Sequence, residues 1–168
     1  MKNIPMDHVD KILKQWHLER PDLDVAPMGT IGRVKRLNHT LMRVMEKTWA
    51  KYGLTDASFD VLATLRREGE PYALSPGDLM ASTMVTSGTM THRINQLEKA
   101  GLIERVKNPD DGRGFLISLS QRGFDLIDEA VAAHVETQAQ LVSGLSKEQR
   151  EQLDDLLKQF LAGLEEVE

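Results

Sequence analysis

Apolar residues recur along much of this chain with a period near 3.6, and the polar residues between them mark where each helix starts and stops. From Asp7 to Glu19, Val9, Ile12, Leu13 and Trp16 fall on one face, and the two prolines of RPDLDVAP end the helix. A long helix is predicted from Thr30 to Tyr52, with Val34, Leu37, Leu41, Met45, Thr48 and Tyr52 in register and Gly53 as its stop. Thr55 caps a helix running through Glu68 with Phe59, Leu62 and Leu65 inward, and Gly69 and Pro71 open a loop to Leu74. A short helix from Ser75 to Ser82 then reaches a tight turn at Thr83 and Met84. Thr86 caps a longer helix, Ser87 to Ala100, which Gly101 terminates. Met90, Ile94 and Leu97 give that helix one inward face, leaving Ser87, Thr89, His92 and Gln96 outward.

Beyond Gly101 the pattern changes from helix to strand. IERV reads as a strand, NPDDGRG as a turn and FLISL as the returning strand, a two-stranded hairpin with a cationic tip at Arg113. Helix, turn, helix and ribbon describe a winged helix-turn-helix, whose second helix enters a major groove while the ribbon tip reaches a minor groove. From Gln121 to Val142 a helix carries Phe124, Ile127, Val131, Val135 and Leu141. GLSKEQ restarts the helix, with Ser146 and Gln149 as a capping box. The stripe Leu153, Leu156, Leu157, Phe160, Leu161 and Leu164 is wider than one small domain needs, so it predicts pairing with a second copy. The expected fold is mainly α with a small β-wing. Residues 1–54 form an N-terminal extension and dimerisation helix, 55–120 the winged helix-turn-helix and 121–168 the C-terminal dimerisation helices.

Composition narrows the chemistry. The 168 residues are 40% hydrophobic but only 5% aromatic, enough for a core that a second chain would complete. No run of 18 apolar residues exists and the first ten residues are polar, so the expectation is a soluble, cytoplasmic protein with no membrane partner. The absence of cysteine removes disulfides and thiolate zinc sites. The five histidines are scattered without a carboxylate at ligand spacing, which argues against a metal. Gly112 and Gly114 form a lone GxG that is turn chemistry, and no catalytic triad, phosphate loop or zinc protease motif occurs. Neither an enzyme site nor a cofactor is expected.

A net charge of −5 looks wrong for a DNA binder until it is divided along the chain. Residues 121–168 hold 11 acidic against 4 basic groups, whereas residues 74–120 hold five of each. Arg93, Lys99, Arg105, Lys107 and Arg113 therefore sit in the expected reading unit. That supply is modest, so specific binding would need two copies and should weaken steeply with salt. Within the reading helix, Gly88 costs roughly 1 kcal/mol relative to Ala. Close approach of the backbone to phosphate at the helix N-terminus would compensate; a tolerant position is the alternative. Thr89 and Lys107 are candidate phosphate or base contacts. His92 either faces the groove or is simply exposed.

The run Leu97, Glu98, Lys99, Gly101, Leu102 and Ile103, followed by Asp111, Arg113, Leu119 and Ser120, resembles the signature of the MarR family of bacterial transcription regulators. The resemblance implies a dimer that binds double-stranded DNA, and it favours Arg113 as a minor-groove probe held by Asp111 over the alternative of a solvated turn residue. A narrower likeness is to the urate-responsive, PecS-like branch of that family, through Trp16, Asp60, Arg93, Arg105 and the extension WHLERPDLDVAPM. It implies a small aromatic anion, urate in particular, as ligand of those four residues and a repressor released by it. An indole can stack a flat heterocycle, guanidinium groups offer paired donors, and a carboxylate accepts ring N–H groups. The plainer alternative is Trp16 as an anchor, Asp60 and Arg93 as a structural ion pair, and Arg105 facing DNA or solvent. The rival to the whole reading is a winged-helix protein-interaction module using its acidic C-terminal half.

Overall fold

The computed structural model describes residues 5–83, 90–109 and 114–165. Its elements are α1 (His8–Glu19), α2 (Ala26–Ala50), α3 (Asp56–Glu68), β1 (Ala73–Leu74), α4 (Pro76–Ser82), α5 (Met90–Lys99), β2 (Ile103–Lys107), β3 (Phe115–Leu119), α6 (Gln121–Leu141) and α7 (Lys147–Glu165). Among the described residues no helix is long and apolar enough to cross a membrane.

The chain divides into two units, Met1–Val44 and Met45–Glu168. In the first, Asp7 caps α1 in a box with Asp10, each side chain accepting from the other's backbone N–H at 2.9 and 2.8 Å. Arg33 of α2 donates to both carboxylates. The Asp10 backbone N–H, with the Arg33 guanidinium beside it, holds the Asp7 carboxyl below its usual range. Helix α2 starts at Ala26, four residues earlier than the hydrophobic pattern predicts. The reason is local: Asp24 accepts from the Ala26 N–H at 3.0 Å, and Pro27 sits in the first turn, where its missing N–H does no harm. The helix also closes earlier, at Ala50, because Lys51 and Tyr52 donate three residues back instead of four.

In the second unit Thr55 caps α3 as expected, in a box with Ser58. Val61, Leu62 and Leu65 of α3, Leu79 of α4, Ile117 of β3 and Ile127 of α6 are fully buried and define the core. Trp49 stacks on Phe59 and His134 at centroid distances of 5.2 and 5.6 Å, joining the last turn of α2 to α3 and α6. The ribbon is not two-stranded. The sheet has three antiparallel strands in the order β1-β3-β2, with Ala73 opposite Ser118 and Leu74 opposite Ile117. Two residues are too short to show a strand period, so the segment after Pro71 reads as loop until its partner is known.

Helix α6 follows β3 directly. Ser120 caps it by accepting from the Gly123 N–H at 3.0 Å. Gly123 meets the Leu102 backbone so closely that a Cβ there would lie 1.8 Å from the Leu102 carbonyl oxygen. Helix α7 begins with the expected capping box, Ser146 and Gln149 each accepting from the other's backbone N–H. None of its described side chains is buried.

Candidate nucleic-acid interface

The LEKxGLI run is the end of α5 and the start of the wing, and Leu97, Glu98, Gly101 and Leu102 together make the turn between them. Leu97 is buried, Gly101 adopts a φ of +69°, and the Leu102 N–H reaches back to the Leu97 carbonyl at 3.0 Å while the Gly101 N–H reaches Glu98 at 2.9 Å. That pair of bonds is a Schellman cap, with Leu97 and Leu102 supplying its apolar contact. Only glycine takes such a φ without strain. The chain then turns straight into β2, so the reading helix and the wing share one rigid corner. Ser120 reinforces it, donating to the Gly101 carbonyl at 2.8 Å, and Arg122 donates to the Ala100 carbonyl at 3.1 Å. The serine that ends the wing signature is thus the cap of α6 and a tie to α5.

Helix α5 is held by Met90, Ile94 and Leu97, each 4% exposed, and presents His92, Asn95, Gln96 and Lys99 on exposed faces. Helix α4 is held by Leu79 and capped by Ser75, which accepts from the Asp78 N–H; Arg67 of α3 donates to the Ser82 carbonyl at its far end. Of the expected DNA contacts, His92, Gln96 and Lys107 are therefore exposed on α5 and β2. Thr86, Ser87, Gly88, Thr89 and Arg113 lie outside the described residues, as does the expected cap at Thr86.

His92, Arg93 and Gln96 also border a cleft of about 320 Å³ between α5 and the first turn of α3, whose opposite wall includes Thr55, Ala57 and Ser58. Nη1 of Arg93 is shielded from solvent and has no hydrogen-bond partner among the described residues. A buried guanidinium nitrogen normally finds an acceptor. Asp60, half-buried on α3, and Arg105 are not on this lining. Arg105 is engaged elsewhere: it forms an ion pair with Glu98, donates to Asn95 at 2.7 Å, and lies 5.4 Å from the Phe115 ring centre. Trp16 belongs to the first unit, on α1, and is 39% exposed. Of the four residues implied as a ligand set, Arg93 is thus the one on the lining of this cleft. Asn95, Phe115 and Gly123 carry parts that sequence reasoning did not assign. Nothing in a single chain marks which arginine an asparagine will meet.

Comparison with known proteins agrees with this geometry. Residues 52–114, which run from the end of α2 to the wing, match the MarR family. The chain is 42% identical over 149 residues to the transcriptional regulator PecS of Dickeya dadantii, covering 89% of this chain and 90% of that one. The fold superimposes on a mutant MarR from E. coli in complex with operator DNA, with a TM-score of 0.70, 25% identity, and coverage of 82% of this chain and 95% of that one. It also superimposes on BpsR of Bordetella bronchiseptica, whose DNA binding is regulated by 6-hydroxynicotinic acid, with a TM-score of 0.68, 26% identity, and coverage of 77% and 90%. A mainly helical chain with a small antiparallel wing, capped and turned in this way, belongs to the MarR family of DNA-binding transcriptional regulators.

Proposed function

We propose that this regulator acts as a homodimeric repressor that holds a pseudo-palindromic operator with paired α5 helices and is released by a small aromatic anion, urate being the first candidate. Two features support the dimer: α7 exposes Leu153, Leu156, Leu157, Leu161 and Leu164 of its apolar stripe, and residues 74–120 carry only five cations. The contacts to DNA in this reading come from Thr86, Ser87, Gly88, Thr89, His92 and Gln96 along the helix and from Lys107 and Arg113 on the wing. A mobility shift with palindromic and random duplexes at two salt concentrations tests it. Equal affinity for both duplexes favours the protein-interaction alternative.

The observation that carries the ligand reading is the Arg93 Nη1, without a hydrogen-bond partner among the described residues, beside a cleft of about 320 Å³. A carboxylate or enolate oxygen is the acceptor that this nitrogen lacks. The regulation of BpsR by 6-hydroxynicotinic acid, a flat aromatic acid, supports the same ligand class. Arg93 sits on the helix that must face DNA, so occupation of the cleft acts on DNA affinity to the extent that the ligand binds the two states unequally. Asp60 and Trp16 enter this reading as further determinants of the response, whereas Arg105 would first have to leave Glu98. Thermal melting against urate and 6-hydroxynicotinate, with and without operator DNA, is the test. The anion should raise the melting temperature of the free protein more than that of the complex, and Arg93→Met should abolish the rise. A rise of equal size in the variant rejects the cleft.

A further inference from the structure

Arg105 lies on the same face of the sheet as the buried Ile103, Ile117 and Leu119, because β2 and β3 pair Arg105 with Ile117 and Lys107 with Phe115. Toward the tip of the hairpin that face leaves the core, and there the Arg105 side chain, 36% exposed, reaches from the wing to α5. Its guanidinium has Phe115 of β3 on one side, a diagonal cross-strand neighbour at 5.4 Å. On the other it meets Asn95 and Glu98, three residues apart and hence stacked on one face of α5. One planar group therefore joins the reading helix to both strands of the wing. Lysine, with a single nitrogen, could not serve Asn95 and Glu98 together with the same fixed geometry.

From this arrangement we propose that Arg105 is a positioning residue for DNA binding: with Glu98, Asn95 and Phe115 it locks the angle between α5 and the outer wing, so that both reach one duplex at once. The base of the wing is already fixed by Ile103, Ile117 and Leu119. Without the clamp the outer half can still pair its strands but swings relative to α5. The inference rests on DNA binding through α5 and the wing, and it excludes a role for Arg105 as a direct phosphate contact in the bound state.

Glu98 supplies a test whose sign separates the two roles. Glu98→Gln removes a negative charge from a helix that faces phosphate, so simple electrostatics raises operator affinity, and a direct-contact Arg105 set free would raise it further. The clamp predicts the reverse: a loss of roughly three- to fivefold, the range of one partly exposed ion pair. The melting temperature of the free dimer should stay close to that of the parent. The second arm is a cycle with Arg113→Ala on the full-length dimer. Once Arg105→Met has freed the wing, removing Arg113 should cost little more, and hydroxyl-radical protection should be lost at the outer minor grooves while the central major-groove protection remains. Higher affinity in Glu98→Gln, or additive losses in the cycle, overturns the clamp while leaving the wing in place. Full affinity in Arg113→Ala alone removes the wing from the interface and the clamp with it.

Discussion

Helices α5 and α7 carry the same kind of signal, an apolar stripe at helical period, and the structure uses the two in opposite ways. In α5 the stripe of Met90, Ile94 and Leu97 is buried against its own chain, and what remains outside is polar. In α7 the stripe itself is outside, with Leu156 62% and Leu161 61% exposed. A helix of the first kind is positioned by its own domain and offers its polar face to a partner. One of the second kind has its apolar face still to bury. Periodicity alone does not distinguish them; the number of neighbouring elements able to cover each stripe does.

The largest effect should come from charging the outer stripe. Leu156→Glu with Leu161→Glu would place four unpaired carboxylates in a dimer interface, and association should weaken by on the order of a thousandfold or more. Sedimentation should show monomers, operator binding should collapse, and helical content should change little. A variant that remains dimeric assigns the contact to another face. Next comes the seat of the α5 corner. Gly123→Ala drives a methyl into the Leu102 carbonyl, backbone against backbone, and should destabilise the fold by about 3 kcal/mol. A melting temperature within a degree or two of the parent would contradict the close approach. Smaller again is Ser146→Ala, which removes the α7 cap and should cost about 1 kcal/mol. If α7 depends on local signals until a partner covers it, the loss should appear as fraying in hydrogen exchange at the first turn of α7, with the exchange of α5 unchanged.

These contrasts also explain what could be read from residues alone. Caps and stops were legible where one residue type does the work: Thr55, Ser146, Gly53 and Gly101 all stand at the boundaries that their chemistry requires. The early start of α2 was not, because Pro27 reads as a breaker until Asp24 is seen to cap the Ala26 N–H. Strand β1 was not, because its two residues gain their identity only from β3. In the candidate site, the exposed face of α5 followed from its period. The partners of Arg105 did not, since Glu98 and Asn95 come into reach only through the reversal at Gly101. Arg93 was singled out as one of four ligand residues, yet the open donor and the α3 wall beside it are tertiary facts.

The smallest effect belongs to the junction of Trp49, Phe59 and His134, where the last turn of α2 meets α3 and α6. Trp49 donates its indole N–H to Nδ1 of His134 at 3.2 Å, which places the imidazole proton on Nε2. Burial holds the His134 pKa below its ordinary 6.5. Above about pH 6.5 the imidazole is neutral in both the folded and unfolded chain, and this group adds no slope to stability. As the pH falls through 6.5 the unfolded chain takes up a proton that the folded one resists, so stability declines until the pH passes below the folded pKa. His134→Gln keeps an acceptor for Trp49 and cannot titrate. Its melting temperature should therefore lose part of the decline seen in the parent between neutral and mildly acidic pH, while Leu156→Glu with Leu161→Glu should retain it. The same slope in His134→Gln and parent would assign the acid sensitivity to groups other than His134.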